Sequence, residues 1–315
     1  MYKKFSFFTP LCATIKEKNQ RIDNFLFKKF NNIPKSMIYK IIRIGKIKIN
    51  EKKVTPKYKI KKGDIIYFPI LKDPIKKKKI TISKNLKIIE YLKKKIIYED
   101  KYLIILNKPS GIAVHGGSGI NFGVIETIRK IYPHLDSLEL VHRLDRNTSG
   151  ILIISKKKSV LRHLHDQIKN KTIKKCYIAF VHGRWNNNNH IISAPLIKKI
   201  IDKKKIMIVQ NNGKPSMTKF QIKKKYNDVT LMSIKPITGR THQIRVHATY
   251  AGYPLLFDND YGSTQLDSKI PIIEKIKKIL LHAYTISFIH PILKKKMFIQ
   301  ATLEERFKKY INLLK

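Results

Sequence analysis

Arginine is scarce in this chain, with ten Arg against 57 Lys among 315 residues. Two short windows, residues 142–150 and 238–247, nonetheless hold four of the ten: Arg143, Arg146, Arg240 and Arg245. Chance placement over those 19 positions would give about 0.6. Such clustering points to sites that need a planar, bidentate cation, which Lys cannot supply. The first window also contains Asp145, between Leu144 and Arg146, on the turn before an apolar run. A carboxylate among arginines at such a place can act as a nucleophile or as the organiser of a phosphate site. An Asp–Arg ion pair that merely fixes a loop is the plainer alternative, and the pattern alone leaves both open.

Other residues with chemical potential are weaker. His163 and His165 are two apart on a helix and do not share a face, which argues against a metal site. The stretch His115-Gly116-Gly117-Ser118-Gly119 is glycine-rich. It lacks both the Lys-Ser/Thr ending of a phosphate-binding loop and the spacing of a dinucleotide fingerprint. Cys12 and Cys176 are isolated, so neither a disulfide framework nor a thiolate metal site is expected. Tyr177 reads as a strand residue that a core could hold.

Elements must bring the two windows together. Ile22, Phe25, Leu26 and Phe30 fall at helical spacing, with Asp23 in the first turn. A second helix is expected over residues 35–43, with Ser36 as a cap and Gly45 at its end. Residues 46–50 alternate as a strand, a turn at Glu51-Lys52 leads to another, and Gly63-Asp64 precedes residues 65–68. Asp73-Pro74 and the lysine run 76–79 show no periodicity. Beyond them, residues 103–106, 151–154, 177–181, 229–234 and 281–289 read as strands. Val124, Ile125, Ile128 and Ile131 mark one helix face, and Val160, Leu161, Leu164 and Ile168 another. Strands and helices without a regular alternation favour an α+β fold with a mixed sheet. The division expected is a small N-terminal module at 19–72, a basic linker at 73–87 and a larger domain at 88–315.

Composition sets outer bounds. The formal net charge is +46, which suits a polyanionic partner. Lys, Ile and Asn are inflated throughout, so part of that charge is compositional drift. Residues 1–14 carry two lysines and a short apolar run, but Pro10 interrupts it and no small-residue cleavage site follows. No apolar run reaches the roughly 18 residues that span a bilayer. A soluble, cytoplasmic protein is the expectation.

At the two windows the sequence also resembles a known family. His142-Arg143-Leu144-Asp145-Arg146-Asn147-Thr148-Ser149-Gly150 is similar to the HRLDxxTSG signature of the RluA-type pseudouridine synthases. Residues 239–247, Gly-Arg-Thr-His-Gln-Ile-Arg-Val-His, resemble that family's second motif. Lys108-Pro109-Ser110-Gly111, Leu281-His282-Ala283 and His290-Pro291 resemble its smaller pieces, and the N-terminal segment resembles an S4 RNA-binding domain. The stretches 34–39, 113–119, 250–252 and Phe257-Asp258 are similar to the branch that modifies large-subunit (23S) ribosomal RNA. Tyr253 and Asp260 depart from the family pattern and are expected to lie away from the chemistry.

The resemblance implies an isomerase that breaks the N-glycosidic bond of a flipped uridine, turns the base and rejoins it through carbon. No metal, ATP or redox cofactor is implied. It assigns Asp145 as the nucleophile, attacking either the sugar C1′ or the base C6. It assigns Arg245 as the ion-pair partner of Asp145, and Tyr177 as the ring that stacks on the base. Arg143 would enter the RNA helix in the base's place, and Leu281 would pack beneath the base. Arg146, Arg240, Lys35 and Arg43 would make further RNA contacts, with ribosomal RNA as the partner. A non-catalytic S4-type RNA-binding or ribosome-assembly protein, and a sister enzyme acting on tRNA or another ribosomal helix, are the alternatives.

Overall fold

The computed structural model describes residues 8–14, 17–30, 33, 35–69, 82–116, 123–186, 190–202, 204–270 and 278–314. The chain separates into two compact units, Met1–Thr81 and Ile82–Lys315. Among the described residues, no helix is long and apolar enough to cross a membrane.

The first unit orders β1 (Phe8–Cys12), α1 (Ile22–Lys29), α2 (Lys35–Arg43), β2 (Lys48–Ile49), β3 (Lys52–Lys53) and β4 (Ile65–Pro69). Its sheet runs β1-β4-β2-β3. Ile22 and Leu26 of α1 meet Ile38, Ile41 and Ile42 of α2 in one core over Ile49, Ile66 and Phe68. Gly45 ends α2 with φ +72°. Its N–H reaches Ile42 O, and Lys46 N–H reaches Ile41 O, which satisfies carbonyls the helix leaves open. Asp23 stands in the first turn of α1, as expected, buried and hydrogen-bonded by Arg21. Three details differ from the sequence expectation. Ser36 lies inside α2 and is not its cap. The β2–β3 turn falls on Asn50 and Glu51, both at positive φ, one residue earlier than expected. Phe8–Cys12, ahead of the expected start at residue 19, pairs antiparallel with β4, because that edge strand offers an open ladder.

The second unit begins with α3 (Ile82–Lys93), so residues 82–87 of the expected linker are helical. Lysines interleave its apolar positions and blur the period, yet Leu92 is fully buried. Then follow β5 (Ile96–Glu99), β6 (Leu103–Lys108), α4 (Val124–Ile131), β7 (Glu139–Leu140), β8 (Ser149–Ser155) and α5 (Lys158–Lys169). The chain continues through β9 (Lys174–His182), β10 (His190–Ser193), β11 (Leu196–Ile201), β12 (Lys204–Val209), β13 (Met217–Lys225) and β14 (Val229–Pro236). It closes with α6 (Gln243–Tyr250), α7 (Thr264–Asp267), β15 (Leu281–Ile289), β16 (Lys296–Gln300) and α8 (Glu305–Leu313).

The large sheet runs β10-β13-β14-β9-β15-β8-β6-β5, with β16 on β15 and β7 on β8; β11 and β12 form a separate hairpin. The β15–β8 contact is parallel and the neighbouring ladders are antiparallel, which makes the sheet mixed. Strand β8 is buried along its whole length because both of its faces are covered. Leu152 and Ile154 pack with Ile125 and Ile128 of α4, whereas Ile151 and Ile153 pack with Val160 and Leu164 of α5. Further along the sheet, Ile244 and Ala248 of α6 lie in a core with Ala179 and Val181 of β9. Phe307 and Tyr310 of α8 cover Ile178 and Phe180 on the opposite side.

The parallel junction depends on a glycine. Gly150 has φ +105°, and a Cβ there would fall 2.2 Å from Ala283 O and 2.6 Å from Ala283 N. Neither backbone atom can withdraw without breaking the β8–β15 register. Gly150→Ala is therefore expected to destabilise the second unit by about 2–5 kcal/mol, combining backbone strain with overpacking. A thermal melt should show a large drop in midpoint, and a variant melting with the wild type would contradict this role.

Candidate active site

Asp145 sits on the loop between β7 and β8, immediately before the parallel junction. That loop is braced from the end of β6. Lys108, fully buried, donates through Nζ to Pro109 O (2.9 Å), Ile112 O (2.8 Å) and Arg146 O (3.2 Å). Burial pushes its pKa down to about 7, against the opposing charges of Glu304 and Asp145. Gly111 N–H donates to Arg146 O, Arg146 Nε returns a bond to Gly111 O, and Ser110 Oγ donates to Asn147 O. With the loop held at both ends, Asp145 presents its carboxylate, 23% exposed, to a cleft of about 670 Å³.

The opposite wall is α6 and the loop before it. Gln243 knits that loop, its Oε1 accepting from Thr238 Oγ1 and Arg240 N, its Nε2 donating to Met217 O and Thr218 Oγ1. His247 bridges Thr218 and Ala194 O. These two residues of the second window are therefore structural. Residues 243–248 of α6 are all buried, which places Arg245 at the back of the cleft.

The sequence paired Arg245 with Asp145, but its hydrogen bonds go elsewhere. Nε donates to Asp258 Oδ2 at 2.7 Å, and Nη2 donates both to Asp258 Oδ1 and to Asp260 Oδ2 (2.7 Å). The remaining Nη1 stands 4.0 Å from Asp145 Oδ2. Burial opposes the guanidinium charge, but the hydrogen bonds and charge of Asp258 outweigh it and hold the pKa above its usual value. Asp260, expected to lie away from the chemistry, is thus part of the site. Asp258 is buried and also accepts the backbone N–H groups of Asp260 and Tyr261. The ring of Tyr261 lies under the guanidinium, 4.7 Å from centroid to Cζ.

Tyr177, on β9, lines the same cleft and packs against two core clusters at once. Burial, and then the charge of Asp145, raise its phenol pKa well above the ordinary value, so the ring stays neutral. Leu281, 3% exposed, opens β15 beside it. Arg143 and Arg240 are exposed at the rim, Arg240 tied to Pro215 O by Nε. The rim is strongly basic, with Lys169, Lys171, Lys174, Lys219 and Lys235 also lining it. Burial lowers the pKa of neighbouring Lys175 to about 8.

The cleft thus gathers Asp145, Tyr177, Arg245, Arg143, Arg240 and Leu281. Arg146 is not among its lining residues; it faces the β6 loop as a brace. Arg43 is exposed on α2 of the first unit, beside a groove shared with Tyr39 and Lys53. The Lys35 side chain lies outside the described residues. So do 117–119 of the glycine-rich stretch, whose Gly116 N–H donates to Glu126. His165 Nε2 donates to Val141 O, and the two cysteines are free of disulfides. Among the described residues, no group of three or more His, Cys, Asp or Glu could hold a metal ion.

Reasoning from sequence missed Lys108, His242, Asp258 and Asp260 as members of the site. The two aspartates had a usable signal: acidic residues are rare here, and two stand close together shortly after the arginine-bearing window.

The chain is similar to known proteins over most of its length. Residues 102–250 match the model of the RNA pseudouridylate synthase family, and residues 20–66 match the S4 domain. Two relatives carry the name ribosomal large subunit pseudouridine synthase C. One, from Buchnera aphidicola subsp. Acyrthosiphon pisum, is 52% identical, covering 93% of both chains. The other, from Haemophilus influenzae, is 45% identical, covering 95% of this chain and 92% of its own. The solved structure of human RNA pseudouridylate synthase domain containing 4 superposes with TM-score 0.61 at 21% identity. It covers 74% of this chain and 98% of its own, a likeness of fold. The chain belongs to the RNA pseudouridylate synthase family, with an S4 domain ahead of an RluA-type synthase domain.

Proposed function

We propose that this enzyme isomerises uridines of large-subunit ribosomal RNA to pseudouridine, with Asp145 as the nucleophile. The names of the relatives support the substrate. One observation carries the site assignment: a carboxylate with no side-chain hydrogen bond among the described residues faces the cleft between Arg245 and His242, beside Tyr177. A carboxylate held by charge but not consumed by hydrogen bonds keeps its lone pairs for attack.

The roles follow from position. The basic rim takes the RNA backbone, and a uridine flipped from its stack enters the cleft, whose volume suits a nucleotide. The Tyr177 ring stacks on the base and Leu281 supports it from the other side. Arg143, exposed and without hydrogen-bond or ion-pair partners among the described residues, occupies the space the base leaves. Asp145 forms a bond to an electrophilic carbon of the nucleotide, C1′ or C6. The C1′–N1 glycosidic bond breaks, the base turns, and C5 bonds to C1′; the bond to Asp145 then breaks and restores its carboxylate, the C5 proton leaves to solvent and N1 takes one up. Arg245, locked by Asp258, holds a fixed positive field at the nucleophile throughout. The first unit, taken as an RNA-binding module over residues 19–72, adds phosphate contacts through Arg43 and its neighbours.

Three outcomes test this reading. Asp145→Asn should fold, bind a large-subunit ribosomal RNA transcript and form no detectable pseudouridine; a folded Asn variant that turns over removes Asp145 as nucleophile. Arg245→Lys should lower turnover about 100-fold, roughly 2.7 kcal/mol of barrier, because an ammonium cannot bridge Asp258 and face Asp145 together. Turnover near wild type would contradict that. Arg43→Ala should weaken RNA binding at every sequence and reduce the salt slope by about one counterion, with the saturated rate unchanged. An unaltered slope in a filter-binding titration would remove Arg43 from the interface.

A further inference from the structure

His242 also faces Asp145, and none of the roles above is its own. It caps α6 in the left-handed region, φ +53°. Its Nε2 lies 3.8 Å from Asp145 Oδ1, while Arg245 Nη1 stands near the other oxygen. The far side of the ring is tied down. Nδ1 is 2.7 Å from the Tyr261 hydroxyl, and that hydroxyl accepts the Met207 backbone N–H at 2.9 Å from the β11–β12 hairpin.

The proton positions follow by counting donors. A phenol carries one proton. With Met207 donating to its oxygen, the Tyr261 proton is left for Nδ1, the acceptor beside it. If Nδ1 carried a hydrogen of its own, the hydroxyl proton would have no acceptor among these groups. Nδ1 is therefore an acceptor, and the single ring proton sits on Nε2, aimed at Asp145. The charged surroundings agree. Burial lowers the imidazole pKa, Asp145 opposes that, Arg245 adds to it, and Asp260 and Asp258 oppose it, with a net lowering. The ring is neutral at neutral pH, so it offers a donor without adding a second cation to Arg245.

We propose that His242 is a positioning residue for the isomerisation: fixed in its Nε2–H tautomer by the Tyr261–Met207 chain, it closes on Asp145 Oδ1 when a nucleotide fills the cleft and sets the rotation of the carboxylate. The inference rests on Asp145 being the nucleophile. His242 neither gains nor loses a proton. Its N–H steadies the charge that leaves Asp145 as the covalent bond forms and returns when that bond breaks. A neutral donor does this without quenching the nucleophile as a close cation would.

The test is single-turnover kinetics on a large-subunit ribosomal RNA transcript, read as tritium released from C5 of labelled uridine, with RNA affinity and a thermal melt on each preparation. His242→Ala should slow the step about 10- to 100-fold with affinity and melting unchanged. His242→Gln, whose amide N–H reaches the place of Nε2, should recover most of the rate. Tyr261→Phe keeps the ring under Arg245 but cannot orient the imidazole, and should also be slow. Because Tyr261 acts through His242, the double variant His242→Ala/Tyr261→Phe should be no slower than His242→Ala. Equal rates for the Ala and Gln variants, a wild-type rate for Tyr261→Phe, or multiplying effects in the double variant would each overturn the proposal. If His242→Ala fails to fold, the Gln and Phe variants decide: a fast Gln with a slow Phe upholds it, and a fast Phe overturns it. A wild type without turnover would instead refute the assignment of the reaction, so the two failures are distinguishable.

Discussion

A guanidinium buried beside the carboxylate proposed as the nucleophile is the constraint around which the second unit is built. Arg245 must sit deep in the protein to hold a field on Asp145 from behind, and burial disfavours its charge unless carboxylates compensate. Asp258 supplies that compensation with a planar two-point contact, and Asp260 adds a third hydrogen bond. The loop carrying them is bent to make those contacts. Phe257 adopts φ +57°, and Asp258 folds back to accept two N–H groups of its own loop. Because Asp258 satisfies the arginine, Asp145 is not drawn into a tight ion pair. The 4.0 Å separation leaves the carboxylate oriented and open to the cleft.

The sheet explains how two sequence windows about a hundred residues apart meet. The parallel ladder of β8 against β15 brings the Asp145 loop, the start of β15 at Leu281 and the Tyr177 region of β9 to a common edge. Gly150 permits the close approach, and the Lys108 clamp prevents the loop ahead of β8 from lifting away. Charge is partitioned in the same way. Asp258 lies buried against Arg245, and lysines ring the mouth where a polyanion would arrive. Part of the +46 surplus is therefore placed where phosphate chemistry can use it.

Much of this was legible in the amino-acid sequence, for identifiable reasons. Lysine so dominates the basic residues that the surviving arginines single out both windows, and with them Asp145 and Arg245. The wholly apolar run 151–154 reads as a buried strand because both faces of β8 are covered. The misses have physical causes too. Helix α6 is buried over residues 243–248, so it shows no amphipathic stripe and was not among the elements expected. The β11–β12 hairpin and α3 carry lysines at positions that mask their periods. Residues 8–12 were assigned to no strand because a strand's partner, here β4 more than fifty residues on, is invisible to local pattern. Arg245 does stand within ion-pair range of Asp145, but its hydrogen-bonded partners Asp258 and Asp260 were missed, because adjacency in space between a helix and a loop does not follow from spacing along the chain. The same blindness hid Lys108, which reads as one more lysine until its three carbonyl acceptors are seen.

The most direct measurement is a map of pseudouridines in large-subunit ribosomal RNA from cells lacking this gene, complemented either with the wild-type chain or with the Asp145→Asn chain. The account predicts that a defined set of pseudouridines disappears with the gene, returns with the wild-type chain and stays absent with the Asn variant expressed at the same level. An unchanged map in the deletion strain, or full restoration by the Asn variant, would contradict it.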